Sequence, residues 1–259
     1  MPVTLVPFFS ASSTVWEPGE WVYGIEEAGY RGWEVVADGR YSFDQPRALA
    51  RVKELLAATR LSATVHAPYS DLNLASMNHP IWRESIRQIC ACIEGAAEFA
   101  DRVTIHPGYI SPVGKLVPDR VWLQQKEALR EIGAFARDRG VTACLENMGG
   151  IREFLCRDPE EILGMIDGID GIGFTCDIGH AHTVGKVREF LAHISWAHHL
   201  HLHDNHGNLD EHLALGDGTI DWKEVGAGVA RGYSGIAVVE GRNLAEAKRS
   251  LAMISRWFV

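Results

Sequence analysis

The sequence predicts a single (β/α)8 barrel over residues 1–259. Three observations carry this expectation. Eight short β-rich runs alternate with segments of helical spacing, and little chain is left over. A length of 259 residues is what eight such units need. Six of the runs finish on His, Glu or Asp, and a parallel barrel gathers its functional groups at the C-terminal ends of its strands. A doubly wound open sheet is the competing architecture. It is disfavoured because the first strand–helix turn has no GxGxxG and because eight units exceed what such sheets usually carry.

In chain order, the first run is Val3–Phe9, and Gly29 marks where the helix after it should stop. Gly32–Ala37 is the second strand, followed by a helix over Pro46–Ala58. Ser62–His66 leads to Pro80–Ala100, and Arg102–His106 leads to Asp119–Arg139, which Gly140 ends. Val141–Glu146 precedes Asp158–Asp167, where Asp158-Pro159 has the chemistry of a helix start. Ile172–Asp177 precedes Lys186–His193, and Ala197–His203 precedes Asp221–Ala230, with a stop near Gly232. Ile236–Glu240 and Leu244–Trp257 close the chain. No low-complexity linker divides it.

Composition narrows the function. The chain has 34 Asp and Glu against 25 Lys and Arg, a balance that argues against broad nucleic-acid binding, because phosphate contacts need clustered cations. The five cysteines include no CxxC pair and read as reduced, mostly core residues. The N-terminus carries no basic leader and no apolar stretch long enough to export or span, so a cytoplasmic protein without a membrane partner is expected.

The strand endings carry the chemistry. A buried strand gains nothing from ending on a bare charge unless something there needs it. His66 opens HAPYSDLNLAS and His106 opens HPG; each reads equally well as a ligand or as a structural histidine. Glu146 follows Val-Thr-Ala-Cys-Leu and, buried, needs a cation or an arginine. Asp177 and His180 stand three apart in CDIGHAH, where the alternative is an Asp capping the next helix. His199, His201 and His203 share one strand face by period-two alternation, with Leu200 and Leu202 on the other, so the imidazoles should face into the barrel. Asp210 and His212 form a further pair or a plain polar loop. Glu240 ends the last strand and is either a ligand or the partner of Arg242. Imidazole and carboxylate donors of this kind suit divalent metal.

From His66 to Arg242 the order and spacing of these residues resemble the xylose isomerase-like TIM-barrel superfamily. That superfamily includes endonuclease IV-type AP endonucleases (AP endonuclease family 2) and sugar isomerases and epimerases. Tyr69 and the Asn73–Ser76 segment match the family's text after the first His. The resemblance implies up to three divalent ions, zinc first, with Mn or Mg as alternatives. His66 and His106 would hold one; Asp177, His201 and Glu240 a second; Glu146 would bridge them; His180, Asp210 and His212 would hold the third. After its second strand the chain reads ADGRYSFDQP, without the longer polar and aromatic loop of the DNA-repair members. Duplex DNA is therefore not favoured over a small sugar or sugar phosphate.

Two reactions fit. Hydrolysis of a phosphoester, in a sugar phosphate or an abasic nucleotide, uses all nine donors and comes first. The alternative is a mononuclear sugar (phosphate) isomerase or epimerase, in which Glu146 and Glu240 move a proton as base and acid. His203, His206 and Tyr69 are expected near substrate, Lys186 and Arg242 at a phosphate or carboxylate, and Trp16 and Trp33 in the core or the pocket wall.

Overall fold

Eight parallel strands close on themselves in chain order in the computed structural model, which describes residues 4–258. They are β1 Leu5–Ser10, β2 Gly32–Val36, β3 Ser62–His66, β4 Arg102–Ile105, β5 Thr142–Glu146, β6 Ile172–Asp177, β7 His199–Leu202 and β8 Gly235–Glu240. Every neighbouring pair is parallel, and β8 pairs back onto β1 with Glu240 level with Ser10. The expected start of the first strand at Val3 lies outside the described residues. Around the barrel run α1 Trp21–Ala28, α2 Pro46–Ala57, α3 His79–Ala96, α4 Pro118–Arg137, α5 Pro159–Ile166, α6 Ile178–Thr183, α7 Val187–Ala192, α8 Trp222–Val229 and α9 Leu244–Trp257.

Residue alternation along the strands sorts two interiors. Outward-facing Val35, Val65, Val103, Leu145, Phe174, Leu200, Leu202 and Val239 are buried against helix residues such as Ile25, Leu55, Ile93, Leu129, Ile162, Phe190 and Val225. This apolar layer between barrel and helices is the core, and each fully buried large side chain contributes roughly 1.5–3 kcal/mol. Trp33 lies in it, while Trp16 is exposed. The five cysteines are unpaired.

The space inside the barrel is different. At its N-terminal end Phe8 lies over Gly32, where a Cβ would sit 2.3 Å from the ring. Above that level the filling is polar, with Glu34, Thr64, Thr104, Thr175, His199 and His201 all buried. The Thr104 and Thr175 hydroxyls meet at 3.2 Å across the barrel. A barrel interior usually carries branched aliphatic layers; here it leads up into the strand endings.

Helix α1 stops before Gly29 (φ 99°), where a helix end was expected. The helix not expected is α6, a short turn formed because Asp177 caps it, accepting the His180 backbone N–H at 2.6 Å. The strand expected over Ala197–His203 is shorter, leaving His203 just beyond β7.

Candidate metal centre

The eight strands deliver their terminal side chains to the C-terminal mouth of the barrel. His66 ends β3, His106 follows β4, and Glu146 ends β5; one donor atom from each lies within 4.8 Å of the others. Glu146, Asp177, His201 and Glu240 meet the same condition, so Glu146 belongs to two groups at once. A third group holds His180, Asp210 and His212 together with His203. The nine donors expected from sequence are thus brought together, and in the grouping expected. His203 joins the third group as a tenth potential donor rather than standing behind it.

The contacts are close. His106 Nε2 is 3.0 Å and His66 Nε2 3.5 Å from Glu146 Oε2. His201 Nδ1 is 2.9 Å from Glu146 Oε1 and 3.5 Å from Glu240 Oε1. His203 Nε2 is 3.2 Å from Asp177 Oδ1, and its ring stacks on His212 with centroids 4.1 Å apart. Yet both Glu146 oxygens, Asp177 Oδ2, His201 Nδ1 and both His203 nitrogens are buried without a hydrogen-bond partner. Donors that crowd together without meeting hydrogen-bond geometry aim their lone pairs at shared space. Leaving such a carboxylate unpaired costs several kcal/mol. A divalent cation is the group that fits them. Three carboxylates and one imidazole around His201 suit Zn, Mn or Mg; the imidazole-rich third group suits Zn.

Charge in the cluster follows from this crowding. Burial alone would raise the Glu146 carboxyl, but His201, His106 and His66 outweigh it and hold it well below the ordinary range. Glu240 is brought to about 2, burial again being outweighed, here chiefly by His201 and His212. Burial opposes charge on the imidazoles too. Glu34, Glu240 and Glu146 nevertheless raise His201 well above its ordinary value, and Asp177 and Asp210 raise His203 to about 9. At His106 burial wins and the value falls.

Neighbours fix these candidate donors in place. The Asn147 side chain accepts the Asp177 N–H at 2.8 Å and donates to the Asp177 carbonyl at 2.9 Å. Asp177 therefore both caps α6 with one oxygen and keeps the other free, so the two readings of that residue are compatible. His212 sits at φ 48°, in the left-handed region, which costs roughly 1–3 kcal/mol for a residue with a side chain. The His203 stack and a 3.1 Å hydrogen bond to Asp210 hold it there.

A cavity of about 410 Å³ opens above the cluster, within the range of small-molecule sites. His66, His106, Glu146, His180, Asp210, His212 and Glu240 form one side; Tyr69, Pro68, Leu72, Leu74, Tyr109, Met148 and Phe154 form a more apolar wall. Tyr69 stacks on His106 with centroids 4.7 Å apart. No lining residue is Lys or Arg.

Three residues expected at substrate are not brought there. Lys186 pairs with Asp158, Arg242 with Glu246 at 2.6 Å, and His206 with Glu211 at 2.9 Å. Each has an acidic partner on its own side of the surface, which satisfies its charge away from the cavity. Arg242 likewise does not pair with Glu240. One residue escaped the sequence reading: Glu34, buried in the middle of β2, reaches across the barrel to His199 and His201. Its signal was a charge inside the otherwise apolar run GWEVV.

The family model described as xylose isomerase-like TIM barrel matches residues 22–257. The uncharacterised protein MJ1311 of Methanocaldococcus jannaschii is 34% identical over 260 residues, covering 96% of this chain and 88% of that protein. The crystal structure of a D-tagatose 3-epimerase-like protein is 33% identical with a TM-score of 0.91, covering 98% of this chain and 97% of the other. The IOLI protein, solved with a zinc atom, is 17% identical with a TM-score of 0.79, covering 98% and 99%; at that identity it shows the shared fold alone.

Proposed function

The chain belongs to the xylose isomerase-like TIM-barrel family and is an enzyme, and from that premise we propose that it is a divalent-metal-dependent sugar epimerase or isomerase. The observation that carries this reading is the buried group of Glu146, Asp177, His201 and Glu240 at the floor of a sugar-sized cavity. The likeness to a D-tagatose 3-epimerase-like protein at 33% identity supports it.

Glu146, Asp177, His201 and Glu240 would hold the ion, which when bound polarises neighbouring sugar oxygens as a Lewis acid. Glu146 and Glu240 end strands β5 and β8 and are both ionised at neutral pH, as a proton acceptor requires. One takes the proton from the carbon beside the sugar carbonyl and, now a carboxylic acid, returns it to the neighbouring carbon for isomerisation. For epimerisation the second carboxylate must first pick up a proton from solvent, which it then delivers to the opposite face of the same carbon. Tyr69, Leu72 and Phe154 on the apolar wall limit water around the reacting carbon. His180, Asp210 and His212 offer hydrogen bonds to sugar hydroxyls.

Phosphoester hydrolysis, ranked first from sequence, retains one favourable observation: the further donor groups His66–His106 and His180–His203–Asp210–His212. Two observations outweigh it. The cavity lining carries no Lys or Arg for a phosphate, and Lys186 and Arg242 are engaged elsewhere. The likeness at high coverage is to a sugar epimerase-like protein.

The test is incubation of metal-loaded protein with ketopentoses and ketohexoses in D2O, followed by NMR. Deuterium should enter at the carbon beside the carbonyl as the epimer or aldose appears. Cleavage of a sugar phosphate or an abasic-site oligonucleotide, with no exchange into any sugar, would overturn the reading in favour of hydrolysis.

A further inference from the structure

We infer that Glu34 is a positioning residue for His201, holding that imidazole from below so that Nδ1 faces the carboxylates of Glu146, Asp177 and Glu240. The two residues come from β2 and β7, three strands apart around the closed barrel, and both are fully buried. Glu34 Oε1 stands 3.0 Å from His201 Nε2, a close charge contact outside hydrogen-bond geometry that leaves Oε1 without a hydrogen-bond partner. Its other oxygen accepts the Thr64 hydroxyl at 2.9 Å and bonds His199 Nε2 at 2.7 Å. The nitrogens of His201 are therefore divided: Nε2 faces Glu34, while Nδ1 is 2.9 Å from Glu146 and 3.5 Å from Glu240.

A carboxylate accepts a hydrogen and cannot donate one. With a carboxylate oxygen 3.0 Å from Nε2, electrostatics favour the neutral His201 tautomer that keeps its hydrogen on Nε2 and turns the Nδ1 lone pair into the site. The nearest other group, the Thr104 hydroxyl, lies 3.5 Å from Nε2, too far to set the tautomer by itself. A carboxylate behind a ligating imidazole also makes the imidazole a stronger donor. The sequence alone placed no partner behind His201.

The same three residues could instead hold an ion of their own, since donors from Glu34, His199 and His201 also lie within 4.8 Å of one another. The 2.7 Å hydrogen bond between Glu34 and His199 argues against that, because it already uses those two atoms on each other. His199 completes the arrangement by hydrogen-bonding the far oxygen at 2.7 Å, which keeps Glu34 tolerable in a closed interior.

The role rests on the metal core proposed above, and its test reads metal binding rather than turnover. Glu34→Gln keeps the shape and removes the charge. Zinc affinity and stoichiometry of the full chain are measured by competition with a chromogenic chelator, alongside the visible spectrum of the cobalt-substituted protein. The variant should bind zinc about 10–100-fold more weakly at its tightest site, with unchanged stoichiometry and a shifted cobalt spectrum. Unchanged affinity and spectrum, even with a lower melting temperature, would mean a merely structural role and overturn the inference. Loss of one ion per chain with the rest unaltered would overturn it by making Glu34 a ligand itself. Should Glu34→Gln fail to fold, Glu34→Asp retains the charge one methylene further back, and wild-type affinity in that variant counts against the inference. A wild-type chain that binds no zinc sinks the metal core and this inference together, whereas equal binding by wild type and variant sinks only the inference.

Discussion

Glu146 faces His66, His106 and His201 from three strands, and neither of its oxygens has a hydrogen-bond partner. Glu146→Gln keeps its volume and removes both the charge and the proton-accepting oxygen. Solvent deuterium exchange into sugar should fall by at least about 10²–10⁴-fold, while far-UV circular dichroism stays that of the native barrel. Full turnover in that variant would remove Glu146 from the chemistry. His212 tests a different point. On the proposal that it hydrogen-bonds a sugar hydroxyl, His212→Ala should raise KM about tenfold and leave kcat within a few-fold, the loss of roughly one hydrogen bond. Collapse of kcat with KM unchanged would instead point to a further ion at that group working in the reaction.

At the level of elements, α6 and β7 meet too closely to tolerate change. A Cβ on Gly179 would sit 2.1–2.4 Å from the His203 ring, so Gly179→Ala must displace either the helix turn or the imidazole. Overpacking of this kind costs about 1–3 kcal/mol; urea denaturation should show that loss together with weaker zinc binding. The histidines of β7 and the turn after it also set a pH dependence. His203 is raised to about 9 from an ordinary value near 6.5, so in metal-free protein its charge stabilises the fold below about 6.5 and that stabilisation is lost as pH rises through about 9. Metal uptake must displace the same proton and so strengthens over that interval. Melting temperature of chelated protein should therefore fall between pH 6.5 and 9 while zinc affinity rises. Parallel trends in the two would contradict the assignment of His203 to the cluster.

For the whole molecule, the barrel has an apolar core outside its strands and a charged one inside. The outer layer follows from ordinary burial of Val, Leu, Ile and Phe. The inner cluster gathers Glu34, Glu146, Asp177, Asp210, Glu240 and seven histidines within or at the mouth of a closed sheet, a costly collection without a cation. Binding that favours the folded state stabilises it by about 2.7 kcal/mol at a hundredfold excess of ligand over Kd. For a chain of this size that corresponds to roughly 5–10 °C. Treatment with EDTA should lower the melting temperature by this order, and zinc should restore it. An identical melting temperature with and without chelator would argue that the cluster is held by hydrogen bonds alone. Among the described residues, no helix is long and apolar enough to cross a membrane.

The barrel was legible in the sequence because its signals are local. Strand runs, helix stops and the His-Leu-His-Leu-His alternation each depend on residues a few positions apart, and a parallel barrel turns strand ends into one site by topology. The nine donors could be named for the same reason. What was not legible depends on distance in the chain. Glu34 acquires its meaning only from His199 and His201, 165 and 167 positions away, and no local pattern announces that pairing. Lys186, Arg242 and His206 looked available for a substrate until the loops brought Asp158, Glu246 and Glu211 beside them. His203 turned from a supporting group into a neighbour of Asp177 and Asp210 once β7 ended one residue before it. Periodicity determined which faces point inward; only the closure of the barrel decided which inward groups touch, because electrostatic partners are chosen by proximity in space and not along the chain.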